Sequence, residues 1–130
     1  MHPRHHTVPR PAHLLTVLME SPDTRTFTFG LNDAETTFDT AGPGQFAMLS
    51  VFGHGEAAFT FSGLPGVGGR PGEVAITVRR VGSLTAALFE LPLGARVGLR
   101  GPFGRGFPTD RFDVPTLFVA GGCGLSPLKA

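Results

Sequence analysis

Cysteine is almost absent from the 130-residue chain, which contains one, Cys123. A single thiol cannot form a disulfide framework, and it cannot supply the several thiolates of a structural zinc or iron–sulfur site. The chain also lacks an apolar run near the roughly 20 residues of a membrane-spanning helix. Its formal net charge is only +1, which argues against nucleic-acid binding by bulk electrostatics. We therefore expect no metal site, nucleic-acid partner or membrane span, and a cytoplasmic location.

Glycine and proline, by contrast, are abundant, with 19 and 12 residues respectively. They are interleaved with short apolar runs and 12 phenylalanines, so the chain as a whole is not predicted to be disordered. This pattern indicates short strands separated by turns within one domain of ordinary size. Residues 1–12, rich in His, Pro and Arg, are expected to be a flexible leader.

Several segments alternate polar and β-favouring residues with a period of two, as half-buried strands do. The predicted strands are 13–20, 24–29, 45–52, 58–62, 73–81 and 95–100. The glycine-rich segment 63–72 is predicted to be a loop, and Gly101-Pro102 a turn. A single helix is predicted at 83–91, where leucine and alanine recur at helical spacing after Ser83, a possible N-cap. The fold class is therefore all-β, a small antiparallel barrel with one short helix.

The carboxyl end differs in character from the rest of the chain. The apolar run 116–120 has the pattern of a buried strand, and Gly121, Gly122 and Gly124 follow it directly. A strand, a glycine loop and a helix start together open a βα nucleotide-binding unit, in which the loop holds a phosphate. We expect a barrel domain at 13–113 and, at 114–130, the start of a truncated α/β nucleotide-binding domain.

The first candidate site is the strand segment Phe59-Thr60-Phe61-Ser62. Alternation places both phenylalanines on one side and both hydroxyls on the other. One interpretation is an aromatic that stacks on a ligand ring beside a hydroxyl that hydrogen-bonds the ring edge. The other is a strand with its phenylalanines in the core and its hydroxyls outside.

The second candidate site is the turn at the start of the predicted helix, Gly82-Ser83-Leu84-Thr85. Free amide groups at a helix start attract anions, above all phosphates. Ordinary capping by the Ser83 and Thr85 hydroxyls explains the same residues. Just before this turn, alternation places Arg79 on the same side of its strand as Thr77. Arg79 is there either to contact a ligand or simply as a solvated charge.

The order of these motifs resembles the ferredoxin–NADP reductase-like flavoprotein superfamily. The segments PGQFAMLSVFGHGEAAFTFSG, ITVRRVGSLTAALFELPLGARVGLRGPFGRGFP and LFVAGGCGLSPLKA carry the resemblance, which covers 14–130. It is strongest to the gamma subunits of cytoplasmic hydrogenases and sulfhydrogenases and to the B subunit of anaerobic sulfite reductase. The flavin subunit of dihydroorotate dehydrogenase resembles the chain more distantly.

The resemblance implies a six-stranded Greek-key barrel that binds FAD, followed by a domain for NAD(P)H. It assigns Phe59 to the flavin ring and Thr60, as the catalytic residue, to the ring atom N5. The other positions matching cofactor-binding residues of the family are Phe61, Ser62, Thr77, Val78, Arg79, Gly82, Leu84 and Thr85 for FAD, and Gly121, Gly122 and Gly124 for NAD(P)H. Two positions depart from the family pattern: Ala57 stands where arginine is common, and Gly63 where a hydroxyl is common.

The function implied by the resemblance is electron transfer between NAD(P)H and an iron–sulfur partner through FAD. The partner would be a catalytic subunit of hydrogenase or sulfite reductase type, and this chain would hold no iron–sulfur cluster itself. Two alternatives remain open: a barrel that has lost flavin and acts as a docking subunit, and a flavin reductase for ferric siderophores. The apolar strand 116–120 also leaves open a dimer that covers its edge.

Overall fold

The computed structural model describes residues 8–31, 38, 41–65, 68–70 and 72–107. This part of the chain contains eight strands and one helix. They are β1 (Arg10–Ser21), β2 (Thr24–Leu31), β3 (Phe46–Val51), β4 (Gly55–Thr60), β5 (Leu64–Pro65), β6 (Gly68–Gly69), β7 (Glu73–Arg79), α1 (Ser83–Phe89) and β8 (Arg96–Phe103).

The strands form where apolar and polar residues alternate, because one side of each strand faces a shared core. In β7, Val74, Ile76 and Val78 are buried and their neighbours point outward. In β2, Phe27 and Phe29 are buried in the same way. The inward-facing side chains of these strands belong to one apolar cluster, which fills the interior of the sheet.

Six strands form one antiparallel sheet in the order β4-β3-β8-β1-β2-β7. The two edges of this sheet meet, because the segment after β4 bonds to β7. The amides of Ser62 and Gly63 both donate to the Ala75 carbonyl, at 2.9 and 3.3 Å, and the Ala75 amide donates to the Gly63 carbonyl at 3.0 Å. The sheet is therefore a closed six-stranded barrel, and β8 lies between β3 and β1 as in a Greek key. The all-β barrel predicted from the sequence is confirmed.

Helix α1 packs against the barrel through Leu88, which is fully buried. Its last turn is held by Arg25 of β2, whose Nη1 donates to the Phe89 carbonyl at 3.0 Å. The Arg25 guanidinium also lies 4.6 Å from the centre of the Phe89 ring. Cations are favoured at helix C-termini and over aromatic faces, so Arg25 fixes the position of α1 on the barrel.

Several predicted boundaries are wrong, and long-range pairing explains the differences. Arg10–Ala12, assigned above to the leader, belong to β1 because they pair with β8, and Ala12 is fully buried. Gly101-Pro102 is not a turn: its cis peptide bond lies inside β8, which continues to Phe103. The ends of β2, β3, β4, β7 and α1 are also shifted, and a short parallel pair, β5–β6, lies within the predicted loop.

Candidate functional site

Strand β4 presents its phenylalanines and its hydroxyls on opposite sides. Phe59 lies opposite the fully buried Ala47, so its ring points inward, where it is half buried against the core. Phe61 is fully buried. Thr60 lies opposite Phe46 and points outward. The phenylalanines thus face inward and Thr60 outward, whereas the Ser62 side chain is buried.

An aromatic pair that the sequence analysis missed lies beside Thr60. The rings of Phe46 and Phe103 are 5.7 Å apart between centroids and tilted by 40°, and both side chains are half buried. Phe46 pairs with Thr60 on one side and Phe103 on the other. Alternation in β3 indicated that Phe46 and Ala47 face opposite ways. It could not identify the outer face, because that depends on pairing with β8.

Thr77 of β7 belongs to a row of hydroxyl groups across the outside of the barrel. Its Oγ1 lies 2.8 Å from Thr26 Oγ1 and 3.0 Å from Ser62 Oγ, and Thr26 donates to a carboxylate oxygen of Glu20 at 2.6 Å. Thr77 donates its one proton to Ser62 in this row. Thr77 therefore offers only a lone pair to any ligand.

The next two predicted residues of β7 differ sharply in exposure. Val78 is buried in the core, so only its main chain can face a ligand on the outer surface. The side chain of Arg79 is 62% exposed, and its Nε donates to Asp23 Oδ2 at 3.2 Å. Arg79 therefore places a positive charge on the same side as Thr77, as the alternation predicted.

Asp23 lies in the turn between β1 and β2 and accepts three side-chain hydrogen bonds. Its Oδ1 accepts from the hydroxyls of Ser21 at 2.9 Å and Thr24 at 3.1 Å, and its Oδ2 from Arg79. These bonds lower the pKa of the Asp23 carboxyl. The hydrogen bond from Ser21 is the largest cause, the one from Thr24 is the next, and Arg79 lowers the pKa further. Asp23 is therefore ionised over the whole neutral range.

The turn between β7 and α1 is shaped by Thr85. Its Oγ1 accepts from the amides of Val81 at 2.9 Å and Gly82 at 3.0 Å, and donates to the Gly82 carbonyl at 3.1 Å. Gly82 is the N-cap. The prediction that Ser83 caps the helix is wrong, because Ser83 is already the first helical residue. Capping by Thr85 is confirmed.

With the Thr85 hydroxyl engaged, the groups that can meet a ligand at this turn are main-chain amides. The amides of Ser83, Leu84 and Thr85 have no partner within the helix, because they belong to its first turn. The Leu84 side chain packs against the core. A methyl group built on Gly82 would meet nothing within 4 Å, so the main chain is open to an approaching group. The turn fits a phosphate in both chemistry and space.

The two departures from the family pattern have structural counterparts. Ala57 of β4 lies opposite the buried Leu49, so position 57 faces inward. Gly63 lies at the closure of the barrel, where a Cβ would come within 3.0 Å of Ala75 Cβ. A side chain at position 63 would thus press on β7, and glycine fits the closure.

A second charged pair lies on the outer surface, on strands β4 and β8. Arg100 donates through Nε and Nη2 to the two carboxylate oxygens of Glu56, both at 2.8 Å, and the Ser50 hydroxyl donates to the same carboxylate. The hydrogen bond from Arg100 is the largest cause that lowers the pKa of Glu56, and Glu56 raises the pKa of Arg100. This bidentate pair joins β4 to β8 across β3.

The predicted nucleotide-loop residues Gly121, Gly122 and Gly124, and the strand at 116–120, lie outside the described residues. Within the described ranges, no group of three or more His, Cys, Asp or Glu side chains is placed to hold a metal ion. Nor does any helix there have the length and apolar character needed to cross a bilayer.

Comparison with known proteins gives matches to flavin-dependent oxidoreductases. Residues 11–107 match a family described as the oxidoreductase FAD-binding domain. The sulfhydrogenase 2 gamma subunit of Pyrococcus furiosus is 36% identical over 100 residues, covering 76% of this chain and 33% of that protein. A probable dihydroorotate dehydrogenase B (NAD(+)) electron transfer subunit from Methanocella arvoryzae is 34% identical over 120 residues, covering 92% of this chain and 41% of that protein.

Solved structures give the same result. The crystal structure of an Amycolatopsis cytochrome P450 reductase matches with a TM-score of 0.73 and 29% identity, over 93% of this chain and 37% of that one. The chain therefore spans between a third and a little over two-fifths of the length of these proteins. Electron-transfer subunits of both the sulfhydrogenase and the dihydroorotate dehydrogenase kind thus match, at 36% and 34% identity.

Proposed function

Because the chain belongs to the oxidoreductase FAD-binding domain family, we propose that it binds FAD along its outer surface from Thr60 to the β7–α1 turn. The observation that carries this assignment is the order of chemical groups on that surface. A hydroxyl beside aromatic rings comes first, then a row of hydroxyl groups, then a cation and the main-chain amides of the first helical turn. FAD has the complementary order of ring, ribityl polyol and pyrophosphate.

At the ring end, Thr60 is the group that would hydrogen-bond the flavin ring near N5. Its outward hydroxyl lies next to Phe46, and Phe59 supports the same stretch of β4 from the inner side. Phe59 reaches the ring only with the part of its side chain that remains exposed. Thr60 and Phe46 are therefore the principal residues proposed for the ring.

At the ribityl chain, Thr77 and Ser62 are the proposed binding residues. Thr77 donates its proton to Ser62, so the Thr77 oxygen can only accept, whereas the Ser62 hydroxyl keeps a proton to donate. An acceptor beside a donor suits the O–H groups of a polyol, which both donate and accept. The main chain at Val78 continues this contact.

At the pyrophosphate, Arg79 and the amides of Ser83, Leu84 and Thr85 are the proposed donors. Arg79 supplies the charge that arginine at position 57 would supply in the family pattern. Open space at Gly82 lets the phosphate oxygens approach the main chain. Charge-assisted hydrogen bonds of this kind are about twice as strong as neutral ones, so the phosphate end should contribute most to affinity.

Bound FAD would supply the redox chemistry, accepting two electrons as hydride and releasing them singly. The chain binds and orients the cofactor and sets the polarity around it. In the whole protein, we propose NAD(P)H as the donor, bound by a domain that begins at 114–130 with Gly121, Gly122 and Gly124. The proposed acceptor is an iron–sulfur or catalytic subunit of hydrogenase, dihydroorotate dehydrogenase or sulfite reductase type, in the cytoplasm.

The test is a titration of the 130-residue chain with FAD, FMN and riboflavin, followed by flavin fluorescence. The proposed site predicts affinity in the order FAD, then FMN, then riboflavin, because each step removes groups that the phosphate end recognises. Equal affinity for the three would show that the phosphate end makes no contact. Absence of binding to any flavin would favour a docking subunit instead.

A further inference from the structure

Arg79 carries unused hydrogen-bonding capacity. A guanidinium has five N–H donors, and the Nε donor of Arg79 is engaged with Asp23 at 3.2 Å. Within the described part of the chain, the four donors on Nη1 and Nη2 have no partner. The end of the side chain can therefore bind an anion without breaking its bond to Asp23.

Asp23 is itself held in place from several directions. The hydroxyls of Ser21 and Thr24 fix its Oδ1, which leaves Oδ2 directed at Arg79. The Asp23 carbonyl accepts from the amide of Arg80 at 2.8 Å. The β1–β2 turn thus binds both the Arg79 side chain and the main chain just after it. β7 ends at Arg79, and the chain runs on to the open turn at Gly82.

We propose that Asp23 is a positioning residue, which orients Arg79 so that its Nη1 and Nη2 groups face the FAD pyrophosphate. The proposal rests on the proposed function and assigns a role to the β1–β2 turn. Asp23 holds the Nε side of the planar guanidinium, and two parallel N–H groups on its far end match two phosphate oxygens. This arrangement gives a charge to a site whose position 57 is alanine.

Two effects of Asp23 on phosphate binding oppose each other. The bond to Asp23 already restricts the Arg79 side chain, so binding a phosphate costs less rotamer entropy. The Asp23 carboxylate, however, repels the phosphate. Both side chains are more than half exposed, so water and salt screen the repulsion across the width of the guanidinium. Orientation therefore dominates, and the effect is modest because exposed pairs interact weakly.

The experiment measures dissociation constants of FAD and riboflavin for the wild-type chain and for Asp23→Ala, Asp23→Asn, Arg79→Ala and the Asp23→Ala/Arg79→Ala double variant. Asp23→Ala should weaken FAD binding about two- to fivefold and leave riboflavin unchanged, because riboflavin has no phosphate. Asp23→Asn, which keeps an acceptor for Nε, should restore most of the FAD affinity. The double variant should match Arg79→Ala alone.

Glu73→Ala is the matched control, since it removes a carboxylate from β7 that makes no hydrogen bond or ion pair within the described residues, and it should bind both flavins normally. FAD affinity that is unchanged or higher in Asp23→Ala would overturn the proposal, as would equal losses for FAD and riboflavin. An Asp23→Ala loss that persists in the Arg79→Ala background would also overturn it. Failure of the wild-type chain to bind any flavin would count against the proposed function first.

Discussion

At the scale of single residues, a substitution at Gly82 should weaken cofactor binding and leave folding nearly unchanged. Its φ of −166° is extended backbone that alanine also adopts, and a Cβ there meets nothing within 4 Å. We predict that Gly82→Ala weakens FAD binding about tenfold or more, because the methyl group blocks charge-assisted bonds to the turn. Stability should change by less than about 1 kcal/mol, since a poorer cap and a less flexible unfolded chain offset each other.

Fluorescence titration and urea unfolding of the same samples check the Gly82 prediction. The control is Gly42→Ala, because a Cβ at Gly42 comes no closer than 4.0 Å to a neighbour, the Gln45 side chain. It should bind FAD normally. If Gly82→Ala also bound FAD normally, the turn would not be the phosphate site.

A substitution at Thr60 tests the end of the proposed site that would hold the flavin ring. Thr60→Val keeps the shape of the side chain and removes the hydroxyl that points outward beside Phe46. We predict that affinity for FAD and riboflavin falls by a similar factor, about two- to tenfold, because one hydrogen bond to the ring is lost. The visible spectrum of the bound flavin should shift as well. Thr28→Val, an outward position on β2, is the control, and identical spectra for Thr60→Val and wild type would contradict the assignment.

The sequence predicted those site residues whose role depends on neighbours close in the chain. Thr77 and Arg79 share one side of a strand, and Thr85 caps its own helix, so alternation and turn chemistry identified them. Phe46 and Phe103 were missed because their outward position follows from pairing between strands far apart in sequence. Asp23 was missed for the same reason, since its partner Arg79 is 56 residues away.

At the scale of elements, the contact between Gly63 and Ala75 tests how the barrel closes. A Cβ on Gly63 would lie 3.0 Å from Ala75 Cβ, between segments fixed by main-chain hydrogen bonds. We predict that Gly63→Ala destabilises the chain by about 1–3 kcal/mol in urea unfolding. Adding Ala75→Gly should recover much of that loss, because it removes the opposing methyl group. An undiminished loss in the double variant would show that the contact is not the cause.

The ion pair between β4 and β8 predicts a pH-dependent contribution to stability. Arg100 lowers the pKa of Glu56, so ionised Glu56 stabilises the fold above its ordinary pKa of 4.5, and this contribution is lost as the pH falls through the lower folded value. Wild type should therefore be more stable than Glu56→Gln at pH 7. The two should converge as the pH falls from 4.5 through the lower folded pKa of Glu56.

Urea midpoints measured from neutral to acidic pH check this convergence. Glu73→Gln serves as the control because the Glu73 carboxylate makes no hydrogen bond or ion pair with the described residues, and this variant should follow the wild-type curve. A stability difference between Glu56→Gln and wild type that stays constant with pH would contradict the prediction.

At the scale of the whole molecule, the number of strands could be predicted but their order could not. Six alternating segments correspond to the six strands of the barrel, because each has one side in the core. The insertion of β8 between β3 and β1 depends on contacts that no local pattern records. The resemblance to a known superfamily supplied the Greek-key arrangement, which alternation alone left open.

Closure of the barrel also assembles the site. Bonds between the 62–63 segment and Ala75 bring Ser62 to 3.0 Å from Thr77, which joins the β4 end of the surface to the β7 end. The proposed ring-binding and phosphate-binding residues therefore lie along one continuous path. The β3–β4 turn at Gly53 and His54, at the other end of β4 from Thr60, provides an internal reference that should not respond to FAD.

The most direct test of the account is to map FAD binding on the isotope-labelled chain by amide chemical shifts. We predict that shifts change at Thr60, Ser62, Thr77, Arg79 and the turn from Gly82 to Thr85, and saturate at one FAD per chain. The amides of Gly53 and His54, in the β3–β4 turn at the other end of β4 from Thr60, should remain unchanged. Saturable changes centred on Gly53 and His54, or no changes at any FAD concentration, would contradict the central claim that FAD binds along the path from Thr60 to the β7–α1 turn.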